Sequence, residues 1–124
     1  MGILKNLFGG QKNEAPVAKI TWNRLESIEQ LDELYERSTE RYQAIFKHST
    51  RCGISSGVLR QFERQDDLEE IDFYLLDLLS HRDLSSEIAQ RSGVWHESPQ
   101  LIVLKDKKVK VHASHYDIMR LSLD

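Results

Sequence analysis

The sequence predicts an α/β domain: a mixed central β-sheet with helices on both faces. Apolar runs of strand length alternate with segments of helical periodicity, and the last two runs are joined by a short polar turn, as in an antiparallel hairpin. No segment repeats, so neither a solenoid nor a propeller is expected. At 124 residues and 40% hydrophobic content the chain is long enough for one domain with its own core. Residues 1–18 are read as a flexible appendage: Leu4, Leu7 and Phe8 have helical spacing, but the Gly9-Gly10 to Pro16 stretch is rich in breakers. The folded domain is expected over 19–124.

The elements follow in order. Lys19-Ile20-Thr21-Trp22 reads as a short strand. Ser27 followed by Gln30 is a capping-box start for a helix through about Arg37, with Ile28, Leu31, Leu34 and Tyr35 on one face. Tyr42 to Lys47 reads as a buried strand. After Cys52, the residues Val58, Leu59 and Phe62 give a helix its apolar face, which Asp66-Asp67 ends. Ile71 to Leu79 is apolar enough for a central strand. Asp83, Ser85 or Ser86 is expected to cap a helix carrying Ile88 and Ala89, with Gly93 as its stop. Leu101–Leu104, a turn at Asp106-Lys107-Lys108 and Val109–Ala113 form the hairpin. A last helix begins near Ser114 or His115 and packs through Tyr116, Ile118, Met119 and Leu121.

Composition removes several function classes. The net charge of −3 is spread over both signs, which leaves no nucleic-acid footprint. No apolar run approaches the ~20 residues that span a bilayer, and Asn6 breaks the myristoylation pattern, so no stable membrane association is expected. His81, His112 and His115 lack metal-ligand spacing, and no tightly bound cofactor is expected. A single cysteine excludes an internal disulfide framework; with no secretory apolar core, a reducing cytoplasm is the expected location.

That cysteine, Cys52, is the most informative residue. Lone cysteines are often small buried hydrophobes, but Thr50, Arg51, Gly53, Ser55 and Ser56 make this a polar turn between a strand and a helix. A sulfur at a helix start faces unsatisfied N–H groups and the positive end of the helix dipole, which favour thiolate over thiol. Arg51 adds a cation, and Thr50 and Ser55 offer hydroxyls. Ser55 also stands where the second cysteine of a C-x-x-C motif would be, so Cys52 can attack a disulfide but cannot close one within the chain.

With these features, the stretch Phe46-Lys47-His48-Ser49-Thr50-Arg51-Cys52-Gly53-Ile54-Ser55 resembles the active turn of the thioredoxin superfamily, and within it the YtxJ-like monothiol bacilliredoxins of the bacillithiol system. Gly53 departs from the proline that often follows the cysteine in that family. Thioredoxins place a cis-proline opposite the thiol just before the hairpin, and Ser98-Pro99 stands in that place, 47 residues after Cys52. The buried Asp of dithiol thioredoxins is matched by Phe46, so both parts of the dithiol apparatus are missing.

The resemblance implies a thioredoxin-like fold and a monothiol thiol-disulfide oxidoreductase. Cys52 would remove a low-molecular-weight thiol of bacillithiol type, the co-substrate, from S-thiolated client proteins. Ser98, Pro99, Gly53 and Trp95 would form the substrate groove, and Arg51 with Lys47 behind it would pair with carboxylates of the small thiol. The alternative is a non-catalytic redox sensor or binding module thiolated at Cys52. A peroxidase is disfavoured because the chain lacks a Pro-x-x-x-Thr-x-x-Cys loop. Oligomeric state is not fixed by these residues.

Overall fold

A computed structural model describes residues 20–64 and 70–121. The expected appendage, Lys19 of the first strand and the Asp66-Asp67 helix end lie outside these residues. Five strands form one sheet: β1 (Trp22–Arg24), β2 (Tyr42–His48), β3 (Ile71–Asp77), β4 (Gln100–Lys105) and β5 (Lys108–Ser114), in the order β1-β3-β2-β4-β5. β3 pairs parallel with β1 and β2, and the β2–β4 and β4–β5 pairs are antiparallel. The helices are α1 (Ile28–Arg37), α2 (Gly53–Phe62) and α3 (Arg82–Ser92), followed by a 3-10 helix at His115–Arg120. The fold is the expected thioredoxin-like mixed sheet with helices on both faces.

Alternation along the strands sorts the core into two layers. Ala44, Phe46, Phe73, Leu101 and Val103 meet Val58 and Phe62 of α2 and Ile118 of the 3-10 helix. Ile45, Tyr74, Leu76, Ile102 and Leu104 meet Leu31 and Leu34 of α1 and Leu84 and Ile88 of α3 on the other face. Trp22, Phe46, Phe62 and Phe73 pack with ring centroids 5.6–6.1 Å apart and seat α2 on the sheet. The Trp22 indole also donates to Glu63 at 2.7 Å, just past the end of α2.

Several local expectations need correction. β1 begins at Trp22, because its ladder to β3 opens at the Trp22–Phe73 pair. Ser27 does cap α1, accepting the Gln30 amide at 3.1 Å, but the Gln30 side chain accepts from Glu26 N–H instead of Ser27. Ile28 is exposed, leaving Leu31 and Leu34 as the buried stripe. β3 stops at Asp77, whose side chain accepts from Leu79 N–H and Ser80 Oγ–H to form a turn. α3 is capped at His81 without a side-chain bond, and Asp83 lies inside its first turn. Gly93 ends it in the left-handed region at φ 75°, as expected.

The hairpin turns through two residues, Asp106 and Lys107, both at positive φ, the signature of a type I′ turn. Neither is the usual Asn or Gly; Ser38 holds them, its carbonyl accepting Asp106 N–H and its hydroxyl accepting Lys107 N–H, each at 2.8 Å. The terminal helix is a 3-10 helix: Ile118 is buried against the α2 layer with Met119 and Leu121 packed beside it, while Tyr116 is 62% exposed and takes no part in the packing face.

Candidate active site

The site is built at the end of β2. This strand is paired on both sides and buried from Gln43 to His48, so its exit is rigidly placed. Ser49, Thr50 and Arg51 turn the chain, with Cys52 N–H bonding back to Ser49 O at 3.2 Å. Cys52 is the N-cap of α2, in extended conformation at φ −106° and ψ 119°, and its carbonyl accepts the Ser56 amide at 3.1 Å. No acidic residue occupies the first turn of α2, so nothing there opposes the positive end of the helix dipole. Cys52 is half-buried, while Thr50, Arg51, Gly53 and Ile54 around it are exposed. No helix among the described residues is long and apolar enough to cross a membrane.

The Ser55 hydroxyl is committed elsewhere, which corrects its expected role as a ligand of the thiolate. It is fully buried, lies 2.7 Å from His48 Nδ1 and accepts the Ser49 amide at 3.1 Å. Both bonds are satisfied when the hydroxyl donates to an unprotonated Nδ1, leaving the His48 proton on Nε2. Burial holds the His48 pKa below its ordinary value, against the opposing pull of Asp77 and Glu63. Ser55 therefore ties the end of β2 to the first turn of α2 and shapes the turn that presents Cys52.

Lys47 is also placed otherwise than expected. Strand alternation turns it to the α3 face, the opposite side from His48 and α2, so it does not stand behind Arg51. It is fully buried there, donating to Ser85 O at 3.3 Å and lying 3.4 Å from His96 Nδ1. Burial pulls its pKa down to about 8. The signal for this was present in the sequence: a lysine inside a run of strand residues covered on both faces has no route to solvent.

Across the sheet, Lys47 faces Gln100 in the β2–β4 ladder, so the segment before β4 reaches the same sheet end as the Cys52 turn. The Ser98–Pro99 bond is cis. Pro99 is buried, its carbonyl accepts His115 N–H at 2.9 Å, and Ser98 is half-buried. Trp95 is 89% exposed, which places it on the surface bordering this segment and not in the core. Among the described residues no group of His, Cys, Asp and Glu is arranged to hold a metal ion.

A half-buried lone thiol at a helix start, at the same end of a mixed sheet as a cis-proline segment, is an arrangement suited to disulfide exchange. Known structures share the fold. A proposed oxidoreductase with a thioredoxin fold is 34% identical and superposes with a TM-score of 0.67, covering 77% of this chain and 83% of that one. Thioredoxin of Malassezia sympodialis is 19% identical at a TM-score of 0.65, over 88% of this chain and 91% of that one. Spinach chloroplast thioredoxin f is 17% identical at 0.60, over 86% and 92%. Residues 23–123 match the family model described as monothiol bacilliredoxin BrxC. The chain belongs to the monothiol bacilliredoxin family, whose thiol redox character its single cysteine fits.

Proposed function

We propose that the protein is a monothiol disulfide reductase that frees client proteins from a low-molecular-weight thiol of bacillithiol type. The Cys52 thiolate attacks the small-thiol sulfur of the mixed disulfide. The client sulfur leaves as a thiolate and takes up a proton, and Cys52 retains the small thiol as a new disulfide. A second small thiol, as its thiolate, then attacks that adduct, regenerates Cys52 and departs as a symmetrical disulfide for a separate reductase. The observation that carries this reading is that Cys52 is the single cysteine of the sequence and Ser55 occupies the resolving position, so a Cys52 mixed disulfide is left for an external thiol to open.

Arg51, exposed and immediately before Cys52 in the chain, supplies a cation for carboxylates of the small thiol. Ser98 offers backbone groups to an extended substrate, and Trp95, Gly53 and Pro99 border the groove. A reducing cytoplasm is where such a cycle would run. Rates with matched bacillithiol-client and glutathione-client disulfides test the reading. Faster turnover of the bacillithiol form supports it. Equal rates would remove the small-thiol assignment, and the absence of turnover with either would favour a sensor thiolated at Cys52.

A further inference from the structure

We propose that Lys47 is a positioning residue: its buried amine holds His96, and through His96 the 94–98 segment that presents Ser98 and Pro99 to substrate. The inference rests on the exchange reading only in taking that segment as one wall of the groove.

Lys47 carries its charge in a costly place. Lys47 is fully buried, and among the described residues no carboxylate pairs with it. An ammonium so placed weakens a fold compared with an apolar side chain of equal length. Its contacts explain its use. Lys47 Nζ reaches Ser85 O at 3.3 Å and His96 Nδ1 at 3.4 Å, and the Ser85 hydroxyl lies 3.1 Å from the same ring nitrogen. An ammonium only donates, so His96 Nδ1 accepts and the ring is neutral with its proton on Nε2.

A second tie lies beside the first. Gln100, the cross-strand partner of Lys47, is buried and donates from Nε2 to Trp95 O at 2.8 Å. Around these two ties the interior is under-bonded: Gln100 Oε1 and Ser98 Oγ are both buried without a partner. The segment is therefore held from beneath by Lys47 and Gln100, both rooted in the strands that fix the Cys52 turn.

The tie is sensitive to acid. The charged groups acting on His96 are Lys47 from β2 and Glu97 from the segment itself; α3 contributes the uncharged Ser85 and β4 the uncharged Gln100. Glu97 also lies 3.5 Å from His115 Nδ1. Protonating His96 removes the acceptor and sets two cations 3.4 Å apart. His96 is itself exposed at the surface, with its Nδ1 edge turned to Lys47 and Ser85; partial desolvation and then the Lys47 charge hold its pKa below the ordinary value, so the tie persists at neutral pH and is lost on acidification.

The test uses the full chain, with Lys47→Met, His96→Ala and His96→Asn, the last keeping an acceptor that does not titrate. Three readouts are followed: urea unfolding, amide hydrogen exchange of residues 94–98, and KM for a peptide carrying a mixed disulfide. Lys47→Met should unfold no more easily than wild type, yet its 94–98 amides should exchange about tenfold faster and its KM rise about fivefold. In wild type the protection of the same amides, taken relative to their intrinsic exchange rate at each pH, should fall as the pH drops from 7.5 to 5. They should loosen at both pH values in His96→Ala and stay pH-independent in His96→Asn. Lys47→Met with wild-type protection and KM, or an acid response that survives in His96→Asn, would overturn the proposal. If Lys47→Met does not fold, the two His96 variants decide. If wild type turns over no mixed disulfide, the exchange reading fails while hydrogen exchange still decides the role of Lys47.

Discussion

Ser55 Oγ lies 2.7 Å from His48 Nδ1 and accepts the Ser49 amide at 3.1 Å, joining the last residue of β2 to the first turn of α2. Truncating that hydroxyl leaves a buried imidazole nitrogen and a backbone N–H unpaired. Ser55→Ala should therefore cost about 1–3 kcal/mol in urea unfolding. Exchange by the folded variant should slow but persist, since Cys52 remains the nucleophile. Unchanged stability would show that the network does not hold the turn.

Acid should weaken the fold through the same residue. The folded-state pKa of His48 is depressed, chiefly by burial, so its contribution to stability is present above the ordinary value of about 6.5 and lost as pH falls through the folded value. His96 has the same sign. Urea midpoints should fall between pH 7 and pH 5, and the fall should shrink in a His48→Asn, His96→Asn double variant. An identical slope in that variant would assign the loss to carboxylates.

Gly53 is the first helical residue of α2, and a Cβ there would meet nothing within 4 Å. Cys52 before it is extended at φ −106° and ψ 119°, the conformation a following proline requires. Gly53→Pro should thus stabilise the protein by about 0.4–1 kcal/mol, mainly by restricting the unfolded chain. A lower thermal midpoint would mean that the Gly53 N–H or backbone freedom is needed in the turn.

Arg51 is exposed, so its attraction for an anionic substrate is modest and screened by salt. Arg51→Glu should slow exchange with an anionic mixed disulfide by about three- to tenfold relative to a neutral one, and the gap should narrow at high salt. A uniform slowing across both substrates would point to an altered turn.

The strand and helix order was legible because both core layers announce themselves by period: Leu31 and Leu34 along a helix, Ala44 and Phe46 against Ile45 along β2. The cysteine at a strand-to-helix turn and the proline before the hairpin are local features, visible without a fold. Contacts between distant polar side chains were not. Nothing near Lys47 in sequence announces Ser85 or His96, and nothing near Ser38 announces the hairpin turn it holds. Ser55 reads equally well as a ligand for sulfur until β2 is seen to put His48 against it. Helix type was also hidden: the spacing of Tyr116, Ile118, Met119 and Leu121 fits an α-helix, whereas the segment is a 3-10 helix with Tyr116 exposed.

In the proposed cycle Cys52 alone performs the exchange. Mass spectrometry of the protein during reaction with a bacillithiol-client disulfide tests it most directly. Wild type should carry one small thiol on Cys52 as the client is released and lose it when free bacillithiol is added, whereas Cys52→Ser should release no client. Client release by Cys52→Ser, or a Cys52 adduct that free thiol cannot remove, would contradict it.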